Sequence, residues 1–131
     1  MPAPGPLRVL LDTHLFIWAI VADRRLSAVR RRLIESADAV HVSSASIWEI
    51  AIKAALGRID LDPLEAAAAI ADSGFVELPV RSAHAARVAQ LPLLHKDPFD
   101  RLLIAQALSE PLILLTADAT LPDYGAFVQR V

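Results

Sequence analysis

Two carboxylates, Asp97 and Asp100, open the stretch His95-Lys96-Asp97-Pro98-Phe99-Asp100-Arg101-Leu102-Leu103-Ile104-Ala105-Gln106-Ala107, whose later positions are almost all apolar. A helix of that composition must be buried. Pro98 suits a first helical position, which makes Asp97 the N-cap and puts Asp100 in the first turn on the same face. The partial positive charge of a helix N-terminus favours both anions and can hold them where a cation could meet them. Capping accounts for Asp97 in full. Asp100, heading so apolar a helix, has little solvent available and is the stronger candidate for chemistry.

Three further acids fall at positions that a regular fold would bring near this point. Arg8-Val9-Leu10-Leu11 reads as a strand that ends at Asp12, and Leu112-Ile113-Leu114-Leu115 as another that leads to Thr116-Ala117-Asp118. Glu49 lies about one turn into the helix that follows the strand Ala39–Ser43, among Trp48, Ile50, Ile52 and Leu56. In open parallel sheets, functional groups gather at the carboxyl ends of strands, so Asp12, Glu49 and Asp118 are expected at one edge, with Asp100 arriving from its own helix. Carboxylates crowded into a partly desolvated cleft repel one another and must either take up protons or share a cation. All-oxygen ligation suits Mg²⁺ or Mn²⁺, and such an ion activates water for attack on a phosphodiester.

Each acid also has a plain structural reading. Glu49 could pair with Lys53 one turn on, or complete a capping box with Ser46. Asp118 could open a turn, and Asp12 could cap the first helix. Thr116 fits as a hydroxyl that orients Asp118 or a water. Four acids at one sheet edge are harder to dismiss together than singly. His14, His41, His84 and His95 lack metal-ligand spacing and read as structural or surface residues.

The elements needed to position these groups alternate along the chain. Helices are expected from Thr13 to Ile20, from a Ser27 cap to about Ala37 with Val29, Leu33 and Ile34 inward and the arginines outward, and from about Ser46 to Leu56, stopping at Gly57. Others run from Pro63 to Gly74, from a Ser82 cap to about Gln90, and from Pro98 onward. The remaining strands are Phe75–Leu78 and a last one at Ala126–Val128. Continuous apolar strands separated by helices imply an α/β fold, a three-layer α/β/α sandwich around a central parallel sheet of four to five strands.

With 131 residues, 55% of them hydrophobic, the chain can bury a substantial core as a single domain, residues 1–131, behind a disordered proline-rich tail at residues 1–6. No apolar run is long enough to span a membrane and the N-terminus lacks signal-peptide character, so a soluble, cytoplasmic protein is expected. The absence of cysteine excludes disulfides, thiolate metal sites and cysteine nucleophiles. The net charge of −2 does not by itself advertise nucleic-acid binding, and the run Arg30-Arg31-Arg32 reads as a solvated helix face. Trp18, Trp48, Ile17 and Ile20, close to the proposed site, suggest surface hidden in an interface, as in a homodimer.

Leu10-Leu11-Asp12-Thr13-His14, Ser46-Ile47-Trp48-Glu49-Ile50, Asp97-Pro98-Phe99-Asp100-Arg101-Leu102-Leu103-Ile104-Ala105 and Thr116-Ala117-Asp118, in that order, resemble a PIN domain over nearly the whole chain. The likeness is to the VapC toxins of prokaryotic type II toxin–antitoxin systems. It implies that Asp12, Glu49, Asp100 and Asp118 form an acidic pocket for Mg²⁺ or Mn²⁺, with Asp97, Thr116 and Ser46 supporting them. Arg101 and Lys53, beside two of the acids, are the candidates for contacting substrate. It further implies a ribonuclease cutting RNA, often tRNA or rRNA, silenced by a cognate VapB antitoxin. A phosphatase of the haloacid dehalogenase type would need an aspartate two residues after Asp12, where His14 stands. The other alternative, a non-catalytic protein-binding scaffold, would be expected to have lost an acid, and none is missing.

Overall fold

The computed structural model describes residues 6–131, so the expected tail, Pro6 apart, lies outside the described residues. Five strands form one sheet: β1 (Arg8–Leu11), β2 (Ala39–Ser43), β3 (Val76–Leu78), β4 (Ile113–Thr116) and β5 (Val128–Arg130). Every pairing is parallel and the order is β3-β2-β1-β4-β5. The helices are α1 (Thr13–Ile20), α2 (Ala28–Glu35), α3 (Ser44–Ala55), α4 (Pro63–Asp72), α5 (Ser82–Arg87) and α6 (Pro98–Ser109).

Alternation along the strands divides the core in two. Val9 and Leu11 of β1, with Val40, Val42 and Leu115, pack against Leu15 and Phe16 of α1, Ile34 of α2, Ile50 of α3 and Ile70 of α4. Leu10 and Leu114, with Leu78 and Val128, pack against Leu103, Ile104 and Ala107 of α6. Helices on both faces make the expected three layers. Because the chain winds outward from β1 in both directions, the switch point lies between β1 and β4, where parallel α/β sheets open a crevice at the strand carboxyl ends.

Local chemistry sets most boundaries where the sequence places them. Ser27 accepts the Arg30 N–H, Asp62 caps α4 ahead of Pro63, and Asp97 caps α6 ahead of Pro98. Gly57 follows the end of α3 with φ of +70°, a conformation that costs glycine little.

Four expectations shift. The α3 cap is Ser43, whose hydroxyl accepts the Ala45 N–H, so Ser46 lies inside the first turn and caps nothing. Ser82 is the first residue of α5, not its cap; the Arg81 N–H is met instead by His84 Nδ1 at 3.0 Å. The last strand starts at Val128 because a 3₁₀ turn over Leu121–Tyr124 and Gly125, at φ of +145°, use up the preceding residues. On α2, only Ile34 is buried, whereas Val29 and Leu33 are exposed; Arg30 turns back instead, donating to the Arg25 carbonyl and lying over Trp18. Leu26, just before the helix, is buried in the same core as Ile34.

Candidate functional site

Parallel register carries the first acid to its neighbours. Leu11 pairs with Leu115, so the next residues, Asp12 and Thr116, meet at the β1–β4 edge, and the Asp12 N–H donates to the Leu115 carbonyl at 3.0 Å. Asp12 Oδ1 accepts the Leu15 N–H at 2.8 Å, which caps α1, and Oδ2 accepts the Thr116 hydroxyl at 2.6 Å. The capping and functional readings of Asp12 therefore coexist. The same Thr116 oxygen accepts the Asp118 N–H at 3.0 Å, which ties the Asp118 loop to Asp12. Asp118 Oδ1 takes both the N–H and the hydroxyl of Thr120 at 2.7 Å.

Glu49 follows Ser46 by one turn on the buried face of α3. Ser46 Oγ lies 2.9 Å from Thr13 Oγ1, which places that face beside the residue next to Asp12. Lys53 Nζ holds Glu49 Oε2 at 2.6 Å, the i,i+4 pair that the sequence allows. Oε1 of Glu49 is buried and has no hydrogen-bond partner among the described residues. A buried carboxylate oxygen without a donor is costly unless something absent from the protein completes it.

From α6, Asp97 Oδ1 accepts the Phe99 and Asp100 N–H groups at 2.8 and 3.1 Å, as a cap. The Asp100 side chain turns instead to His95, whose Nε2 lies 3.0 Å from Asp100 Oδ2. Ligand-capable atoms of His95, Asp100 and Asp118 all lie within 4.8 Å of one another. Asp12 and Glu49 stand outside that set.

Electrostatics joins what distance leaves apart. Burial first, then the charge of Asp97, pushes the Asp100 carboxyl up to about 7; Asp12 and Glu49 add to the rise, and the His95 hydrogen bond opposes it. Burial also raises Asp12, against the lowering effect of its Thr116 and Leu15 hydrogen bonds. Asp118, more open and held by Thr120, is lowered. A site that forces one of its acids to keep a proton near neutrality is short of positive charge. Together with the orphaned Glu49 oxygen and the carboxylate and imidazole donors, this fits a divalent cation.

His95 is the residue that sequence spacing missed. It lies in the loop before α6, and only its position five residues before Asp100 hinted at it. His41 bonds the Val9 carbonyl, His84 is buried against Glu110, and His14 is exposed. Arg101 is engaged within the chain: its guanidinium donates to the Pro92 and Val88 carbonyls and to Tyr124 Oη. Of the apolar residues expected at an interface, Ile17, Trp18 and Ile20 pack against the core, while Trp48 stays 61% exposed, edge-on to Phe99. A cavity of about 330 Å³ lies at the other end of the sheet, lined by Leu26, Arg31, Asp38 and Phe75, and none of Asp12, Glu49, Asp97, Asp100 and Asp118 borders it.

A parallel sheet in this order, with acids gathered where β1 and β4 end, defines a PIN-like α/β/α protein. The PIN domain model matches residues 9–126, and the chain belongs to that family. Solved structures share the fold. A chain of the VapBC2 complex of Rickettsia felis, bound to a DNA fragment from its promoter, superimposes with a TM-score of 0.69 at 14% identity, covering 95% of this chain and 98% of that one. DNA-bound VapBC from Salmonella typhimurium gives 0.66 at 19% identity, covering 95% and 97%. A toxin–antitoxin complex from Klebsiella pneumoniae gives 0.65 at 19% identity, covering 92% and 95%. No curated protein matches the chain by sequence.

Proposed function

We propose that this PIN protein is a metal-dependent endoribonuclease, the toxin half of a type II toxin–antitoxin pair, in which Asp12, Glu49, Asp100 and Asp118 hold Mg²⁺ or Mn²⁺. The observation that carries the reading is geometric: ligand-capable atoms of His95, Asp100 and Asp118 lie within 4.8 Å of one another, and a buried Glu49 oxygen has no partner among the described residues; the upward shift of the Asp100 carboxyl by burial and neighbouring acids agrees with it. A bound ion would polarise a phosphodiester and lower the pKa of an attacking water. The protein's own part is positional. Thr116 and the Leu15 N–H fix the two oxygens of Asp12, and Thr116 carries Asp118 along with it. Lys53 occupies one oxygen of Glu49 and leaves the other free to turn to a ligand. Asp100, whose carboxyl is pushed up by burial and its neighbours, would hold the ion as a carboxylate. Lys53, about one-third exposed, would contact an RNA phosphate from its place on Glu49, whereas Arg101 acts by fixing the loop that carries His95.

The substrate class is RNA, with tRNA and rRNA the first to be tried, and the partner is a VapB-type antitoxin. The solved structures of like fold being toxin–antitoxin complexes supports this, as do the exposed Trp48 and Ile52 on α3 with Leu56 just past its end, and the pair Val29 and Leu33 on α2. Such apolar faces suit an antitoxin segment and a second copy of the chain. Among the described residues no helix is long and apolar enough to cross a membrane, and action in the cytoplasm as a single domain fits. Purified protein freed of antitoxin, incubated with labelled tRNA and rRNA, tests the reading. Cleavage with Mg²⁺ or Mn²⁺ and none with EDTA is expected; cleavage that survives EDTA, or none under any metal, would overturn it.

A further inference from the structure

We infer that His95 is itself a ligand of the cation and that its imidazole makes the site favour Mn²⁺ over Mg²⁺. The inference rests on the metal-binding reading above and adds a donor to it. His95 Nε2, one oxygen of Asp100 and one of Asp118 already lie within 4.8 Å of one another, so a single ion can touch all three after small side-chain rotations. Both partners are reachable by a hydrated ion, the His95 side chain being 23% exposed and that of Asp100 19%.

The backbone that carries the ring is also held in place. The His95 main-chain N–H donates to Tyr124 Oη at 3.1 Å, and the same oxygen accepts Arg101 Nη1 at 3.0 Å. Arg101 belongs to α6, one residue beyond Asp100, and its remaining contacts reach the Pro92 and Val88 carbonyls. The segment leading to His95 is thus strapped to the helix that carries Asp100. A histidine that only paired with a surface acid would need no such support. Tyr124 and Arg101 are positioning residues for it.

Donor chemistry decides the consequence. Mg²⁺ prefers oxygen ligands and gives up its waters reluctantly. An imidazole nitrogen favours divalent ions of the first transition row; Mn²⁺ is the weakest of that row for such a donor but still accepts it more readily than Mg²⁺, which lies outside the row. To ligate, the ring presents Nε2 unprotonated and carries its proton on Nδ1. In the metal-free protein the same nitrogen sits against Asp100, where it partly offsets the crowding that an ion would relieve.

The test loads the full chain with MnCl₂ and reads the nitrogen hyperfine coupling of bound Mn²⁺ by pulsed electron paramagnetic resonance, alongside calorimetric titration with Mn²⁺ and Mg²⁺. A directly bonded imidazole nitrogen is expected in the spectrum, lost in His95→Gln and kept in His14→Gln. His95→Gln should weaken Mn²⁺ binding by about tenfold or more, and Mg²⁺ binding by clearly less. Tyr124→Phe should weaken Mn²⁺ in the same direction by a smaller factor. If His95→Gln fails to fold, the wild-type spectrum and Tyr124→Phe still decide. Tight Mn²⁺ binding without nitrogen coupling, or equal losses for both ions, would overturn the inference and leave the carboxylate site standing. Failure of the wild type to bind either ion would overturn both.

Discussion

Asp12 and Asp100 carry the same side chain toward the same edge of the sheet, yet the fold holds them by different means. Asp12 is fixed by parallel register: its backbone continues the β1–β4 ladder, both oxygens accept hydrogen bonds, and its side chain is almost wholly buried. Asp100 stands in the first turn of a helix whose cap is another aspartate, with one imidazole as its partner. The first is fully hydrogen-bonded, though burial still raises its carboxyl; the second is left in conflict with its neighbours, its carboxyl pushed up to about 7 by burial and by Asp97, Asp12 and Glu49. Rigid placement of one ligand and electrostatic tension at the other are complementary ways to prepare for a cation, and substitutions at each should fail differently.

The largest difference belongs to Asp12. Asparagine preserves the α1 cap, so Asp12→Asn should fold, while RNA cleavage falls by about 10²–10³-fold, the usual loss when one preorganised electrostatic group is removed. Initial rates on labelled RNA with Mn²⁺ measure it. Near-normal rates would mean that the rigid half of the site does no chemistry.

Asp100→Asn should act on the pH dependence of stability. The folded carboxyl is raised above its unfolded value of 3.8, so its contribution is present below pH 4 and is lost as pH rises toward 7. In EDTA, the variant and wild type should be similar near pH 4. By pH 8 the variant should be more stable by on the order of 2–4 kcal/mol, as read from urea unfolding. A constant offset across that range would show that Asp100 is not under tension.

Thr116→Val removes a hydroxyl that serves both regions, donating to Asp12 and accepting from Asp118. Leaving Asp12 Oδ2 buried without its donor should cost about 1–3 kcal/mol. The smallest effect belongs to Asp97, the α6 cap: Asp97→Ala should cost roughly 0.5–2 kcal/mol. Relief of its repulsion on Asp100 should bring that loss toward the low end at pH 8, where Asp100 is charged, and melts at pH 5 and pH 8 would reveal the trend.

What was legible in the sequence follows the same division. Asp12 and Asp118 could be read from where apolar strands stop, because parallel sheets deliver strand ends to one edge. Asp97 and Asp100 could be read from the Asp-Pro helix start. His95 could not, because its approach to Asp118 depends on a loop strapped by Tyr124 and Arg101, a contact made across the chain. The α3 cap was ambiguous locally: Ser43, Ser44 and Ser46 all offer a hydroxyl, and the length of β2 decides among them. On α2, the periodicity of Val29, Leu33 and Ile34 describes an amphipathic helix, but which of them faces inward is set by packing across the chain, and only Ile34 joins the core, beside Leu26. Arg101 looked available to substrate because a charge beside an acid says nothing about carbonyls packed against it.

Whether these separately held acids share one cation can be seen directly in crystals of the full chain soaked in Mn²⁺ and measured at a wavelength where manganese scatters anomalously. An anomalous peak is expected at the carboxyl ends of β1 and β4, among Asp12, Glu49, Asp100 and Asp118, with the His95 ring as a further donor. Well-ordered density for these side chains with no peak between them, at a Mn²⁺ concentration that supports RNA cleavage, would contradict a shared ion.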